Sequence, residues 1–287
     1  MSTRKIAVVT DSGSDVPKEV IEKYGIYVLP LVVQYADRAY LDRVDITEEE
    51  VYRRLSQEIP TTSLPTPEVI LSTFDRIASD GYDTIVAVTV SSGLSGTYNA
   101  VRLLGEGYKG LDVHVLDTKN IGIGSGFAAI TAAELVAAGH TLEEILTGVQ
   151  KAIENTKIFF TLKTLEYLRK GGRIGLVTGI VGSVLNIKPV ISCNDEGVYY
   201  NVKMSRGEKQ SLKDVLRLAR EYSTQYDKYN IAVCDGAAPE DAEKLLAVIQ
   251  ENFPNVQNIY HTNVSPALVV HTGPGLIGIG VQKISTV

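Results

Sequence analysis

The stretch Ser91-Ser92-Gly93-Leu94-Ser95-Gly96-Thr97 gathers four hydroxyls and two glycines into seven residues. It follows a β-branched apolar run, 84–90, with the length and composition of a buried strand. It precedes a helical pattern that starts near Ser95 and carries Tyr98, Val101, Leu103 and Leu104. A strand, a glycine-rich turn and a helix in succession aim backbone N–H groups, hydroxyls and the positive end of a helix dipole at one point, which suits an anion. A plainer account has Ser95 capping the helix, and the stretch alone favours it. Two other segments carry the same donor types: Thr61-Thr62-Ser63-Leu64-Pro65-Thr66 and His271-Thr272-Gly273-Pro274-Gly275. Singly each reads as a turn. Together they offer hydroxyls, N–H groups and one imidazole to a bound carboxylate. None of the three contains Arg or Lys, so the expected site holds its anion through neutral donors.

Other chemistries fit less well. Gly93-Leu94-Ser95-Gly96-Thr97 departs from the G-x-S-x-G elbow at its last position, although a later Asp and His271 would keep the order Ser, Asp, His. A serine hydrolase of acyl esters with Ser95 as nucleophile is therefore an alternative. It needs His271 within reach of Ser95 and an acid behind the imidazole. Gly122-Ile123-Gly124-Ser125-Gly126 fails the dinucleotide pattern because Phe127 stands at the third glycine position, and no P-loop is present. The four histidines are scattered without metal-ligand spacing, so neither a metal nor a cofactor is expected. Asp11 and Asp15 can hold a cation, but two carboxylates in one turn are more often solvated caps. Cys193 and Cys234 form no motif, and a reduced, cytoplasmic setting is the default.

The elements that must position these residues alternate in type. Residues 5–10, 26–33, 84–90 and 112–116 read as strands, with Pro30 marking an edge or a break in the second. Between them lie a helix from Pro17 to Gly25, one capped by Thr47-Glu48-Glu49-Glu50 and one opened by Thr66-Pro67. A helix rich in small residues, 122–138, and a second capping box at Thr141–Glu144 follow. This alternation predicts a parallel α/β sheet. Near residues 154–158 the pattern changes. A short helix, 164–170, ends in Arg169-Lys170-Gly171-Gly172-Arg173. Residues 189–193 and 198–204 flank a hairpin turn, Asn194-Asp195-Glu196-Gly197, and further helices are expected at 212–226 and 240–252. With strands at 231–234, 256–260 and 276–281, this half predicts a mixed sheet. The division is placed at 1–155 and 156–287, in keeping with the two domains that 287 residues suggest. A net charge of -6 with no basic stripe argues against nucleic acid. The first apolar run, 6–9, is too short for a secretion signal, and the longest, 174–187, is too short and too interrupted to span a bilayer.

The three donor segments, in their order, together with Val9-Thr10-Asp11-Ser12 and Leu165-Glu166-Tyr167-Leu168-Arg169-Lys170-Gly171-Gly172-Arg173-Ile174, resemble the DegV family over essentially the whole chain. The resemblance implies two α/β domains with a long-chain fatty acid buried between them. It implies a lipid-binding protein that is not itself an enzyme: the substrate-binding subunit of a bacterial fatty acid kinase, serving phospholipid metabolism. A separate ATP-binding subunit would phosphorylate the bound carboxylate to an acyl phosphate. The fatty-acid-binding residues carried over are Thr62, Ser63, Ser91, Ser92, Gly93, Ser95, His271 and Gly273; either Ser91 or Ser92 is to meet the carboxylate by its side chain. Arg173 is expected to face the partner and to leave the lipid pocket untouched. The small-residue runs 122–133 and 174–185 leave room for an apolar cavity or, equally, serve close helix packing. A lipid carrier or sensor without a kinase partner is the remaining alternative.

Overall fold

The computed structural model describes residues 4–180, 186–224 and 227–284. The chain forms two α/β domains. In the first, β1 (Ile6–Asp11), β2 (Tyr27–Leu29), β6 (Thr84–Thr89) and β7 (Asp112–Asp117) make a parallel sheet in the order β2-β1-β6-β7. The continuous apolar runs of β1 and β6 follow from burial on both faces. Val9, Ile85 and Ala87 pack with Ile70, Phe74 and Ile77 of α3 (Pro67–Ser79) and Val101 of α4 (Thr97–Gly107). The alternate residues Val8, Val86 and Val88 face the interior and α5 (Ile123–Ala137). Pro30 separates β2 from β3 (Val32–Gln34), as expected. Not foreseen is a small antiparallel sheet in the order β4-β3-β5, built from β3, β4 (Ala39–Leu41) and β5 (Thr61–Ser63). The proline-flanked segment read as an extended loop is its edge strand. The first domain is completed by α1 (Lys18–Tyr24), which ends at left-handed Gly25, by α2 (Glu48–Arg54), capped by Thr47, and by α6 (Leu142–Glu154), whose capping box is formed.

The second domain carries a mixed six-stranded sheet, β10-β9-β8-β13-β11-β12. Its strands are β8 (Thr156–Thr161), β9 (Ile187–Cys193), β10 (Tyr199–Arg206), β11 (Tyr229–Gly236), β12 (Val256–Asn263) and β13 (Leu276–Lys283). Only β11 and β12 run parallel. One face packs Phe159, Ile231 and Val233 against α8 (Glu208–Ser223) and α9 (Pro239–Asn252). The other turns Ile158, Phe160, Ala232 and Cys234 toward the core shared with the first domain. Helix α5 lies in that core and touches both sheets, so it is apolar all round. Gly280 of β13 lets it close in, for a Cβ there would press on Ile123 and Phe127 at 3.1 Å. The run 122–133 thus serves close packing, and its first residues, Gly122 and Ile123, also line a cavity. In the other run a 3-10 turn covers Gly175–Ile180, and 181–185 lie outside the described residues. Two short helices complete the domain, α7 (Glu166–Lys170) and α10 (Pro266–Thr272); the latter was not foreseen. Among the described residues no helix is long and apolar enough to cross a membrane.

Candidate functional site

Strand β5 places Thr62 between exposed neighbours, Thr61 and Ser63, so the side-chain alternation of a strand turns Thr62 inward. Helix α10 ends in His271 and Thr272, stopped by Gly273 at φ 64, whose Cα lies against the Tyr167 ring. These two elements bring Thr62 Oγ1 to 2.6 Å from His271 Nε2. Burial, and then the nearby Arg173, push His271 down to about 4, so its imidazole is neutral at pH 7. Its Nδ1 is sealed against Gly171 and has no partner among the described residues. A buried N–H without an acceptor costs more than an idle lone pair. The favoured tautomer therefore carries its proton on Nε2 and donates to Thr62, leaving the Thr62 hydroxyl proton free for a ligand.

Arg173 does not point away from this place. Its Nε donates to Leu94 O at 3.3 Å and its Nη1 to Gly171 O at 2.7 Å, and its side chain lines the same cavity as Thr62 and His271. Two expectations are corrected here: Arg173 does not leave the pocket untouched, and the polar cluster is not made of neutral donors alone. The cause is the Gly171-Gly172 step after α7, with Gly172 at φ 71, which turns the chain back toward Leu94. Ser95 and Ser63 also line the cavity. Ser95 stands one residue before the α4 N-cap, Gly96, and its hydroxyl still serves the helix start: it accepts from the Thr97 N–H at 3.3 Å and pairs with Thr97 Oγ1 at 2.8 Å.

Ser91, Ser92, Gly93 and Gly273 are not among the residues lining the cavity. Ser91 is fully buried and donates to Gly197 O at 2.8 Å, while accepting from the Gly93 N–H. It braces the turn after β6 against the β9–β10 hairpin. Ser92 Oγ accepts from Lys119 Nζ at 3.1 Å, and Lys119 in turn pairs with Asp117. The serine hydrolase alternative lacks its geometry: His271 Nε2 engages Thr62, and among the described residues no carboxylate bonds Nδ1.

The cavity measures about 240 Å³ and lies between the domains, walled by Leu31, Val90, Ile123, Ile158, Phe160 and Leu276 among others. It falls just under the roughly 300–1,000 Å³ of common small-molecule sites. A mostly apolar cavity with polar side chains in its wall suits an amphiphile. A wider cleft of about 870 Å³ follows the free edge of β7, but Asp117, Lys119, Glu154 and Lys157 in its wall make it unsuited to an acyl chain. Beside the cavity three acids are sealed from water. Asp11 accepts from the N–H groups of Gly13 and Val90, and Asp42 from Ser12 Oγ and the Ala267 N–H. Asp15 accepts from Arg43 and the Ser265 N–H. Burial pushes Asp11 and Asp15 up to about 7 and Asp42 up to about 6. These are not solvated caps; two of them bind the first domain to the start of α10. Asp15 and Tyr199 also line the cavity; from sequence, Asp15 reads as a cation holder or a cap, and Tyr199 is not singled out. The placement of Tyr199 at the start of a strand after a hairpin turn was the only signal for it.

A family model for uncharacterised proteins of the DegV family matches residues 5–283. A DegV domain-containing protein of Clostridium acetobutylicum is 41% identical over 280 residues, covering 97% of this chain and 99% of that one. Among solved structures, a fatty-acid-binding DegV family protein from Thermus thermophilus is 28% identical, with a TM-score of 0.91 over 98% of this chain and 100% of the other. A stearic-acid-binding protein from Eubacterium ventriosum is also 28% identical, with a TM-score of 0.87 over 97% of this chain and 98% of the other.

Proposed function

The chain belongs to the DegV family, and from this premise we propose that it binds one long-chain fatty acid between its domains and presents the carboxylate to a separate ATP-binding kinase subunit. The observation that carries the reading is the cluster of Thr62, His271, Ser95 and Arg173 in the wall of a mostly apolar cavity. The Thr62 hydroxyl, held as a donor by neutral His271, meets one carboxylate oxygen. Ser95 and the backbone of its turn offer further donors, and Arg173 supplies the single positive charge. A carboxylate oxygen attacks the γ-phosphorus of ATP on the other chain, ADP leaves, and an acyl phosphate forms. Arg173 is placed to offset the charge that gathers during transfer. Ser91 and Gly93 act by docking the turn onto the second domain, and the chain works in a reduced, cytoplasmic setting.

Solvent extraction of the purified protein followed by mass spectrometry tests the binding half. A C16 or C18 acid at near one per chain is expected; protein that is repeatedly empty and also ignores added fatty acid sinks the reading. The kinase half is tested by adding an ATP-binding fatty acid kinase subunit and measuring acyl phosphate. No product from lipid-loaded protein with an active subunit would leave a carrier instead.

A further inference from the structure

Two polar groups in the cavity wall are not used by the carboxylate site. Asp15 is 3% exposed and sits in left-handed backbone at φ 48. Its Oδ1 takes hydrogen bonds from Arg43 Nη2 and from the Ser265 N–H, both at 3.0 Å; no such bond reaches Oδ2 among the described residues, although the buried Ser265 hydroxyl, itself without another partner, stands beside the carboxyl. Oδ2 lies beside Gly122, another wall residue, where a Cβ would approach it to 3.3 Å. Tyr199 is 5% exposed, its ring meets Phe160 edge-on at 5.5 Å, and its hydroxyl has no partner among the described residues. Burial, and then Cys193 and Asp15, hold the phenol protonated, while Arg173 opposes them.

A saturated chain drawn past these groups would face an acceptor oxygen and a hydroxyl and give a hydrogen bond to neither. A site that buries such groups penalises the ligand that cannot satisfy them. A secondary alcohol both donates and accepts, so a hydroxyl on the chain gives either group a partner. We infer that the preferred ligand is a fatty acid bearing a hydroxyl on its acyl chain, received by a polar subsite of Asp15 and Tyr199. This rests on the fatty-acid reading above and narrows it to a substrate class.

The test is competitive binding of stearic, oleic and 10-hydroxystearic acids to delipidated protein and to Tyr199→Phe. The parent is expected to bind the hydroxy acid about tenfold more tightly than stearic acid. Tyr199→Phe should bring the two within about threefold, with stearic acid bound as well as before or better. Stearic or oleic acid bound as tightly as the hydroxy acid by the parent would overturn the inference while leaving fatty-acid binding intact. So would an unchanged preference in Tyr199→Phe. Failure of every acid to bind would remove the fatty-acid reading and this one with it. A second measurement needs no variant: a series of C18 acids hydroxylated at different carbons should show one optimum, and a flat profile overturns the subsite.

Discussion

Neutral His271 decides what Thr62 can do. With the imidazole proton on Nε2, Thr62 is committed to donate to the ligand, so Thr62→Ala removes a hydrogen bond to a charged group worth roughly 1.5–3 kcal/mol. Titration calorimetry should show fatty acid affinity down by tenfold or more, and Thr62→Ser should restore most of it. The same imidazole shapes stability against pH. Its folded value, about 4, lies below its ordinary 6.5, so between these values the unfolded chain binds the extra proton. Stability from this group is complete above about 6.5 and is lost as pH falls toward 4. Asp11, Asp15 and Asp42 act in the opposite sense, since their raised values favour the folded state at low pH and that advantage fades as pH climbs to about 7. Comparing His271→Gln with the parent isolates the histidine: the melting temperature should drop less for the variant between pH 7 and pH 5. An equal drop would place the proton uptake elsewhere. Arg173 supplies the cation in the cavity wall, so Arg173→Ala should lower fatty acid affinity about tenfold. Binding at the parent's level would move Arg173 back to a role outside the pocket.

At the scale of elements, the decisive contact joins two turns. The turn after β6 and the turn between β9 and β10 meet so closely that a Cβ on Gly93 would sit 2.8 Å from Gly197 O. A Cβ on Gly197, itself at φ 77, would collide with Ser91 Oγ. Gly197→Ala should therefore cost about 1–3 kcal/mol in denaturant unfolding, from left-handed strain and the collision together. Ser91→Ala should also lower stability, by roughly 1–3 kcal/mol, because it leaves the buried Gly197 carbonyl without its donor. Its fatty acid affinity should stay near that of the parent, and a tenfold loss would return Ser91 to the carboxylate site. The strands and long helices were legible because they are long enough to carry a pattern, the continuous β-branched run of 84–90 or the helical recurrence of apolar residues in the capped 142–154. What escaped was short. Strand β4 has three residues, and β5 is polar and flanked by prolines. Helix α10 spans seven residues without a charged side that marks an exposed face. Pieces of this size are defined by what they pack against. The site shows the same limit: Thr62 and His271 were readable as donor types, but the turn that sends Arg173 inward exists only in three dimensions.

The two larger of the three sheets close over one shared core, with the cavity in that core and α5 wedged between them. A ligand held there stabilises both domains at once. At a hundredfold excess over its dissociation constant it adds about 2.7 kcal/mol, which should raise the melting temperature of delipidated protein by several degrees. A shift no larger than that given by a short-chain acid would count against a buried chain. The walls of this cavity are also far apart along the chain. Thr62 meets His271 across 209 positions, and Asp15 reaches Ser265 across 250. During synthesis the ribosome therefore finishes the parallel sheet long before the segment that closes the pocket emerges. Until then the cavity lacks the wall that α10 supplies. Whatever this cavity encloses is thereby taken up late in the life of each molecule, after α10 has left the ribosome.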